Sequence, residues 1–219
     1  MSNSKCKNSV LSPCKENENL VVNINKENEN IVFNGNNEKE NKENGCVQNN
    51  HTIEDVIYDK LRILSLNVCG LVSKLKNPDF VEFITAYDII CLTETKLDQY
   101  DEVDILEGFT LLSTVNREFC KAKSGGICIF VRENLCKYVS VKNQFTGSSH
   151  CTLWFEIDDR LLFNETLFGV IYIPPENSLY SDISMFDDIE DVLINVDSQV
   201  CLLGDFNAHT SNVNEYIVY

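Results

Sequence analysis

Short apolar runs separated by polar segments recur along the chain from residue 61 onward. Each run is five to eight residues long and is bounded by polar or turn-forming residues, which is the pattern of a β-strand. Seven such strands are typical of two β-sheets packed face to face. The predicted strands are residues 61–68, 88–92, 108–115, 126–132, 151–157, 167–173 and 199–203.

Two segments between the predicted strands have helical periodicity instead of alternation. The triplet Asn-Pro-Asp at 77–79 is a helix start signal, and the pair Ser-Asp at 181–182 is a second one. Together with the strands, these helices predict an α+β fold in which helices cover the outer faces of two packed sheets. The apolar residues predicted to share a helix face are Phe80, Phe83 and Ile84 in the first helix, and Ile183, Phe186, Ile189, Leu193 and Val196 in the second.

Residues 1–52 differ in composition from the rest of the chain. Asn, Lys and Glu dominate them, and Phe33 is their one aromatic residue. Such a segment cannot bury enough apolar surface to offset an ordering cost of about 1–2 kcal/mol per residue. The composition therefore predicts a disordered tail at 1–52 and one folded domain at 53–219. The recurring Lys-Glu-Asn indicates low-complexity sequence, with a docking element as the alternative.

Charge narrows the classes of function that the chain can have. The formal net charge is −16, and nearly all of it falls after residue 50. This balance argues against a broad basic face that binds nucleic acid through counterion release. An acidic cleft that binds a cation stays compatible with it.

Cysteine usage and hydropathy indicate an intracellular protein. The first residues carry no apolar signal segment, so we expect the ten cysteines to be reduced. Cys91, Cys128 and Cys201 lie within apolar runs and are expected to pack as small hydrophobic residues. No Cys-x-x-Cys pair occurs, which disfavours structural zinc. No apolar run approaches the roughly 18 residues of a spanning helix, so we expect no membrane partner.

Polar side chains stand at the ends of four predicted strands. Asn67 ends the first run, Glu94 follows the second, Tyr172 lies near the end of the sixth, and Asp205 and Asn207 follow the last. Rigid strands can bring such groups together at one edge of two packed sheets. Taken singly, each has an ordinary structural explanation as a turn former, a loop carboxylate, a packed ring or an Asx turn. Their order and spacing together favour a functional site.

In this order the five residues resemble the endonuclease/exonuclease/phosphatase superfamily. That superfamily has a four-layered α/β/β/α sandwich, as in DNase I-like nucleases, apurinic endonucleases and inositol phosphatases. The resemblance covers residues from about 60 to 219, and its finer details look like the endonuclease domain of non-LTR retrotransposons and of craniofacial development protein 2-like proteins. The strings that carry it are SLNVCGLVSKL at 65–75, LTETKL at 92–97, SGGICIFV at 124–131 and GDFNAH at 204–209.

The resemblance implies hydrolysis of phosphodiester bonds in DNA with Mg²⁺, or alternatively Mn²⁺, as the cofactor. It implies that Glu94 binds the metal and that Asn67 supports both the metal and the phosphate. Tyr172 would donate its hydroxyl to a non-bridging oxygen, and Asn207 would hold the phosphate. Asp205 would orient or deprotonate the attacking water. All five are candidate catalytic residues, and the candidate substrate-binding residues are Asn67, Tyr172 and Asn207.

The family pattern continues beyond Asn207 with a further Asp and a closing Ser-Asp-His segment, and residues 208–219 match neither. We therefore expect the sandwich to lack its last strands and helix, and the activity to be impaired or lost because catalytic groups act as a unit. Two alternatives to a DNA endonuclease of retroelement origin stay open. One is a phosphoesterase for phosphoinositides or sphingolipids, which the acidic charge favours. The other is a non-catalytic remnant that binds a protein.

Overall fold

The chain forms two β-sheets with helices on their outer faces. The computed structural model describes residues 20–25, 31–35, 60–98, 100–103, 106–116, 123–147, 150–162 and 164–207. The strands in these ranges are β1 (Leu20–Asn25), β2 (Ile31–Gly35), β3 (Lys60–Asn67), β4 (Ile89–Thr93), β5 (Phe109–Val115), β6 (Ile127–Arg132), β7 (Val139–Val141), β8 (Thr152–Ile157), β9 (Thr166–Tyr172) and β10 (Gln199–Asp205).

The strands divide into a six-stranded sheet and a four-stranded sheet. The first has the order β2-β1-β3-β4-β6-β5, and the second has the order β10-β9-β8-β7. Two neighbouring pairs, β3 with β4 and β9 with β10, are parallel, and the other pairs are antiparallel. The helices in the described ranges are α1 (Leu71–Lys74), α2 (Pro78–Thr85), α3 (Ser184–Asn195) and two short 3₁₀ helices, Glu133–Tyr138 and Asn143–Phe145.

Apolar side chains fill the space between the two sheets. Ile63 and Ile129 of the first sheet and Phe155 and Phe168 of the second belong to one buried cluster. The two Phe rings stack with their centroids 5.1 Å apart. Alternate residues of each strand point into this layer, because side chains alternate across a pleated sheet. The packing of the two sheets therefore follows from the alternation of apolar residues.

One helix covers the outer face of each sheet. α2 begins at Pro78, and the Asn77 side chain accepts a hydrogen bond from the Asp79 backbone N–H at 3.0 Å, as the start signal predicts. Its buried Ile84 packs with the outward residues of β3, β4 and β6. α3 packs on the other side, against β8 and β9. The predicted α/β/β/α layering is confirmed.

Three cysteines pack as the sequence predicts. Cys91 and Cys201 are buried between the sheets, and Cys128 is buried beneath the helical layer of the first sheet. Burial raises the pKa of all three thiols, and for Cys201 it does so to about 11. No helix in the described ranges is long and apolar enough to cross a membrane.

Two stretches of residues 1–52, for which the composition predicts a disordered tail, form strands. β1 pairs with β3 in antiparallel register from Leu20 opposite Ser65 to Asn25 opposite Lys60, and β2 pairs with β1. The runs Leu-Val-Val and Ile-Val-Phe in these strands have high β-propensity, and β3 offers an edge with unpaired backbone groups. The rest of 1–52 lies outside the described residues.

The predicted apolar face of α3 is wrong except at Ile189 and Val196. The helix begins at Ser184 instead of 181–182, and its buried residues are Met185, Ile189 and Val192. The residues of the predicted face that are exposed are Ile183, Phe186 and Leu193. Apolar residues occur on two sides of this helix, so periodicity alone could not decide which side faces the sheet.

Smaller differences between the predicted and the observed fold concern one residue of α2 and several short elements. Phe83 lies at the exposed margin of α2, where its ring meets Tyr87 edge to face at a centroid distance of 5.7 Å. The sequence analysis also missed β7, α1 and both 3₁₀ helices. Elements of three to six residues are too short for hydrophobic periodicity to detect.

Candidate functional site

The carboxyl ends of β3, β4, β9 and β10 meet at one edge of the sandwich. In the parallel pair β3 and β4, Asn67 lies opposite Thr93, and Glu94 follows directly. In the parallel pair β9 and β10, Tyr172 lies opposite Asp205. Parallel neighbours present their carboxyl ends at the same edge, and this is where α/β sheets commonly place functional groups.

Two hydrogen bonds join the sheets at this edge. The Asn67 Nδ2 donates to Asp205 Oδ2 at 2.8 Å, across 138 residues of sequence. The Tyr172 hydroxyl donates to Glu94 Oε1, also at 2.8 Å. Each bond connects one sheet with the other. The structure thus brings together four of the five residues that the sequence singles out.

Asn207, the fifth residue, adjoins the site through the turn after β10. Its backbone N–H donates to Asp205 Oδ1 at 3.0 Å, and its Nδ2 donates to the Ile173 carbonyl at 2.8 Å. Gly204 has a φ of 134° and lies so close to the Ile171 carbonyl that a Cβ could not be accommodated. Both carboxylate oxygens of Asp205 accept a hydrogen bond, so the direction of the carboxylate is fixed.

Lys96 and Cys69 also belong to this edge, although the sequence analysis did not single them out. The Lys96 ammonium lies 3.5 Å from Glu94 Oε2 and donates to Cys69 Sγ at 3.1 Å. Burial alone would lower the pKa of Lys96, but the hydrogen bond to Cys69 and the Glu94 carboxylate outweigh it and raise the pKa. Lys96 is therefore a permanent cation in the site.

A sequence signal for Lys96 was present but weak. Glu94 and Lys96 are separated by one residue, a spacing at which side chains share a side only where the backbone is extended. Cys69 stands two residues after Asn67 in the same way. Because this spacing is common in loops, it does not by itself predict that the side chains touch. The contact of Lys96 with Glu94 and Cys69 is evident only from the packed structure.

Backbone strain concentrates at this edge. Of the five non-glycine residues with positive φ in the described ranges, four lie here: Cys69, Glu94, Lys96 and Asn207, with φ between 42° and 53°. Hydrogen bonds between the loops after β3 and β4 hold this geometry. Left-handed backbone at non-glycine residues is unfavourable and is found preferentially at functional sites.

The oxygen atoms at this edge suit a small, hard cation. Glu94 and Asp205 supply carboxylates, and Asn67 Oδ1, which accepts from the Cys69 N–H at 3.0 Å, keeps a second lone pair. The described residues contain no group of three His, Cys, Asp or Glu side chains that could hold a metal. Mg²⁺ commonly binds through one or two carboxylates and retains several waters, so the donor set fits an ion of that kind.

The chain is similar in sequence pattern to one protein family. No curated protein sequence matches the chain. An endonuclease/exonuclease/phosphatase family protein from Leptotrichia buccalis C-1013-b is similar in structure, with 16% identity over 69% of this chain and 70% of that chain and a TM-score of 0.46. The sequence pattern of the Endonuclease/Exonuclease/phosphatase family matches residues 64–214, and its members are phosphodiester hydrolases that generally use divalent metal ions. Because this match covers more than half of the sequence, the chain belongs to the endonuclease/exonuclease/phosphatase family.

Proposed function

We propose that this edge is a Mg²⁺-dependent phosphodiesterase site of the DNA endonuclease type, related to the endonuclease domains of non-LTR retrotransposons. The observation that carries the proposal is the pair of hydrogen bonds across the sheets, Asn67 to Asp205 and Tyr172 to Glu94. They hold two carboxylates in fixed but different surroundings. One carboxylate is oriented by amides, and the other faces a hydroxyl and an ammonium.

Asp205 is suited to activate water. In hydrolysis, the water oxygen bonds to phosphorus, one P–O bond of the ester breaks, and the water loses a proton to a base. Asn67 and the Asn207 N–H hold the Asp205 oxygens in place, and each oxygen keeps a lone pair that can accept this proton. A positioned base of this kind contributes about 10²–10⁴-fold to the rate.

Glu94 and Asn67 would hold the metal. When bound, Mg²⁺ or Mn²⁺ supplies Lewis-acid polarisation of the phosphoryl group and stabilises the leaving oxyanion. Tyr172 keeps Glu94 Oε1 oriented, which leaves Oε2 towards Lys96 and the interior of the site. The orientation of the Glu94 carboxylate, the proposed metal ligand, is therefore determined by residues of both sheets.

Lys96 and Asn207 are suited to hold the phosphate as negative charge builds, and Tyr172 can join them by turning its hydroxyl from Glu94 to the phosphate. The Tyr172 hydroxyl and the Lys96 ammonium lie on either side of Glu94. Asn207 donates one amide proton to Ile173 and has a second for the substrate. The Lys96 and Asn207 donors are already in place in the free protein, and donors of that kind stabilise developing charge without a reorganisation cost.

A neighbouring cleft supports a polyanionic substrate such as DNA. It has a volume of about 430 Å³ and opens beside Lys96, between the loops after β3 and β4. Lys76 and Lys123 also line it, together with Asp101, which pairs with Lys123 at 2.6 Å. Lys123 also pairs with Asp98 at 3.0 Å, so the positive charge that favours a phosphate backbone at this edge comes from Lys76 and Lys96.

Two measurements on the full chain test this function. The first is the binding of Mn²⁺ or Mg²⁺ by calorimetry, and the second is the Mg²⁺-dependent nicking of supercoiled plasmid. We expect cation binding and nicking at an impaired rate, and we expect Glu94→Gln to weaken both strongly, because the substitution removes the negative charge of the proposed metal ligand. The matched control is Glu82→Gln, on the exposed side of α2, which should change neither.

Other outcomes distinguish the alternatives. Release of phosphate from phosphoinositide vesicles without nicking of plasmid would replace the DNA endonuclease with a lipid phosphoesterase. A folded chain that binds no cation and cleaves neither substrate would support a non-catalytic remnant. The relation to retrotransposons predicts a reverse-transcriptase reading frame downstream in the gene, and a genomic sequence without one would contradict that relation.

A further inference from the structure

The outward face of α3 carries a second apolar stripe. Ile183, immediately before the helix, is 80% exposed and Phe186 is 54% exposed. Leu193 and Ile194 continue the stripe two turns later and are also exposed. Residues at these spacings lie on one side of a helix because neighbours on its surface are three or four positions apart. The stripe therefore runs along most of α3.

This stripe is separate from the face that packs on the protein. Met185, Ile189 and Val192 point to the opposite side and are buried against the second sheet. Five of the nine exposed large hydrophobic residues in the described ranges lie in the stripe or at Leu179, just before it. Isolated exposed hydrophobic residues are ordinary, but a contiguous patch of them indicates an interaction surface.

The charge around the stripe is entirely acidic. Glu190 lies within it, and Asp187 and Asp191 lie along one side, all three exposed. No Lys or Arg occurs anywhere after Arg160, whereas ten Asp and Glu residues do. An apolar centre with acidic borders is complementary to an apolar centre with basic borders.

We propose that the outer face of α3 is a docking surface for an amphipathic helix of a partner protein, with Lys or Arg beside its apolar residues. The twelve residues of α3 span about 18 Å, enough for three turns of a partner helix laid alongside. Helix-on-helix recognition of this type uses apolar anchors at i, i+3, i+4 and i+7. Phe186 and Ile194 are the anchors on this side.

The acidic charge around the apolar stripe argues against two other occupants of this surface. A second copy of the chain in a two-fold interface would place acidic borders against acidic borders, which is repulsive. An anionic membrane surface would be repelled for the same reason, since helices that lie on membranes carry Lys and Arg on their polar face. The surface uses none of the residues assigned to phosphodiester hydrolysis, so the inference does not depend on that function.

The test uses the full chain and a synthetic probe. The probe is a fluorescent peptide of Leu and Lys at helical spacing, about 18 residues or five turns long. Its control has the same composition in scrambled order, which keeps the charge and removes the apolar face. Fluorescence anisotropy should show saturable binding of the first peptide and binding at least roughly tenfold weaker for the second.

Two double variants locate the surface. Phe186→Ser with Ile194→Ser should weaken binding of the amphipathic peptide roughly tenfold, because anchor residues carry most of the binding free energy. Val72→Ser with Phe83→Ser, on the helical side of the first sheet, is the matched control and should bind like the unmodified chain. Circular dichroism establishes that both variants are folded. Hydrogen exchange of the unmodified chain should show protection of residues 183–194 when peptide is added.

Several results would overturn the proposal. Equal binding of the scrambled peptide would mean that charge alone drives association. Unchanged affinity of the α3 variant, or protection outside residues 183–194, would place the contact elsewhere. A chain that sediments as a dimer and becomes monomeric with Phe186→Ser and Ile194→Ser would identify a second copy as the occupant. Binding to anionic vesicles that is lost in the same variant would identify a membrane.

Discussion

The two ends of β4 each carry a carboxylate, and the two carboxylates have opposite characters. Asp88 directly precedes the strand and Glu94 directly follows it. In the sequence both are acidic residues that flank the same five-residue strand, Ile89–Thr93. The Asp88 side chain is 6% exposed, whereas the Glu94 side chain is 19% exposed at the edge where the two sheets meet.

Both carboxylate oxygens of Asp88 accept hydrogen bonds from other residues of the chain. Its Oδ2 accepts from the Arg62 backbone N–H at 2.9 Å, and its Oδ1 accepts from Arg132 Nε at 3.0 Å. Arg132 also donates to the Thr85 carbonyl at 2.7 Å and lies over the Phe109 ring. These contacts tie β3, β4, β6 and α2 together. A carboxylate enclosed in this way stabilises the fold and is not accessible to a ligand.

Glu94 is less completely paired than Asp88. Tyr172 donates to Oε1, while Oε2 faces the Lys96 ammonium at the longer distance of 3.5 Å. The backbone of Glu94 has positive φ, unlike the regular strand before it. Neither charge nor position at a strand end therefore distinguishes the carboxylate that we propose as a metal ligand from a structural one. Accessibility and incomplete pairing do.

Among the substitutions that compare the two ends of β4, Glu94→Gln is expected to have the largest effect, and this effect is on activity. Loss of the metal ligand should lower plasmid nicking by about 10³-fold, which corresponds to roughly 4 kcal/mol of transition-state stabilisation. The free energy of unfolding should change by less than about 0.5 kcal/mol, as for a partly exposed substitution. Nicking rates and urea denaturation measure the two quantities. A variant that is destabilised as much as it is slowed would make Glu94 a structural residue.

The second largest effect is expected for Asp88→Asn. In contrast to Glu94→Gln, this substitution should act on the free energy of unfolding. It leaves the Arg132 guanidinium without its charge partner, and breaking a buried pair is strongly destabilising. Because both arginines are partly exposed, we expect a loss of about 3 kcal/mol in the free energy of unfolding. Urea denaturation measures it, with Asp79→Asn as the exposed control. A loss below about 1 kcal/mol would mean that the cluster is no more than a surface ion pair.

The centre of β4 offers a third test, through the thiols that pack around Cys91. Burial raises the pKa of Cys201 from 9.0 to about 11, so the folded state keeps this proton after the unfolded chain has lost it. The contribution of this thiol to the free energy of unfolding is complete below pH 9 and is lost as pH rises from about 9 to 11, by roughly 3 kcal/mol. Urea denaturation across this range should show a shallower fall for Cys201→Ala. Parallel curves for the two proteins would contradict the assignment.

The smallest expected effect concerns the cation beside Glu94. Lys96→Met removes a positive charge 3.5 Å from the proposed metal ligand, so Mn²⁺ should bind about tenfold more tightly, or roughly 1.4 kcal/mol. Calorimetric titration measures it, and Lys74→Met on the exposed side of α1 is the control. Weaker binding in the Lys96 variant would show that Lys96 organises the ligands instead of competing with the metal.

The strands and the position of the site could be predicted from the sequence because both depend on local patterns. The run at 167–173 corresponds to β9 (Thr166–Tyr172), and the run at 126–132 corresponds to β6 (Ile127–Arg132). A strand must stop being apolar where it leaves the core, so polar residues at its end mark the edge of the sandwich. Asn67, Tyr172 and Asp205 were identified in this way.

Only the tertiary structure decided which residues meet at that edge and which helix face is buried. The hydrogen bond from Asn67 to Asp205 depends on how two sheets are stacked, which no local pattern contains. The contact of Lys96 with Glu94 and Cys69 depends on the same stacking and on left-handed backbone in two loops. In α3 two apolar faces compete, and the second sheet selects Met185 over Phe186. The local hydrophobic pattern determines where helices and strands form, because that pattern depends only on residues that are neighbours in sequence. Packing of the two sheets determines the candidate site, because the contacts of the site join residues that are far apart in the chain.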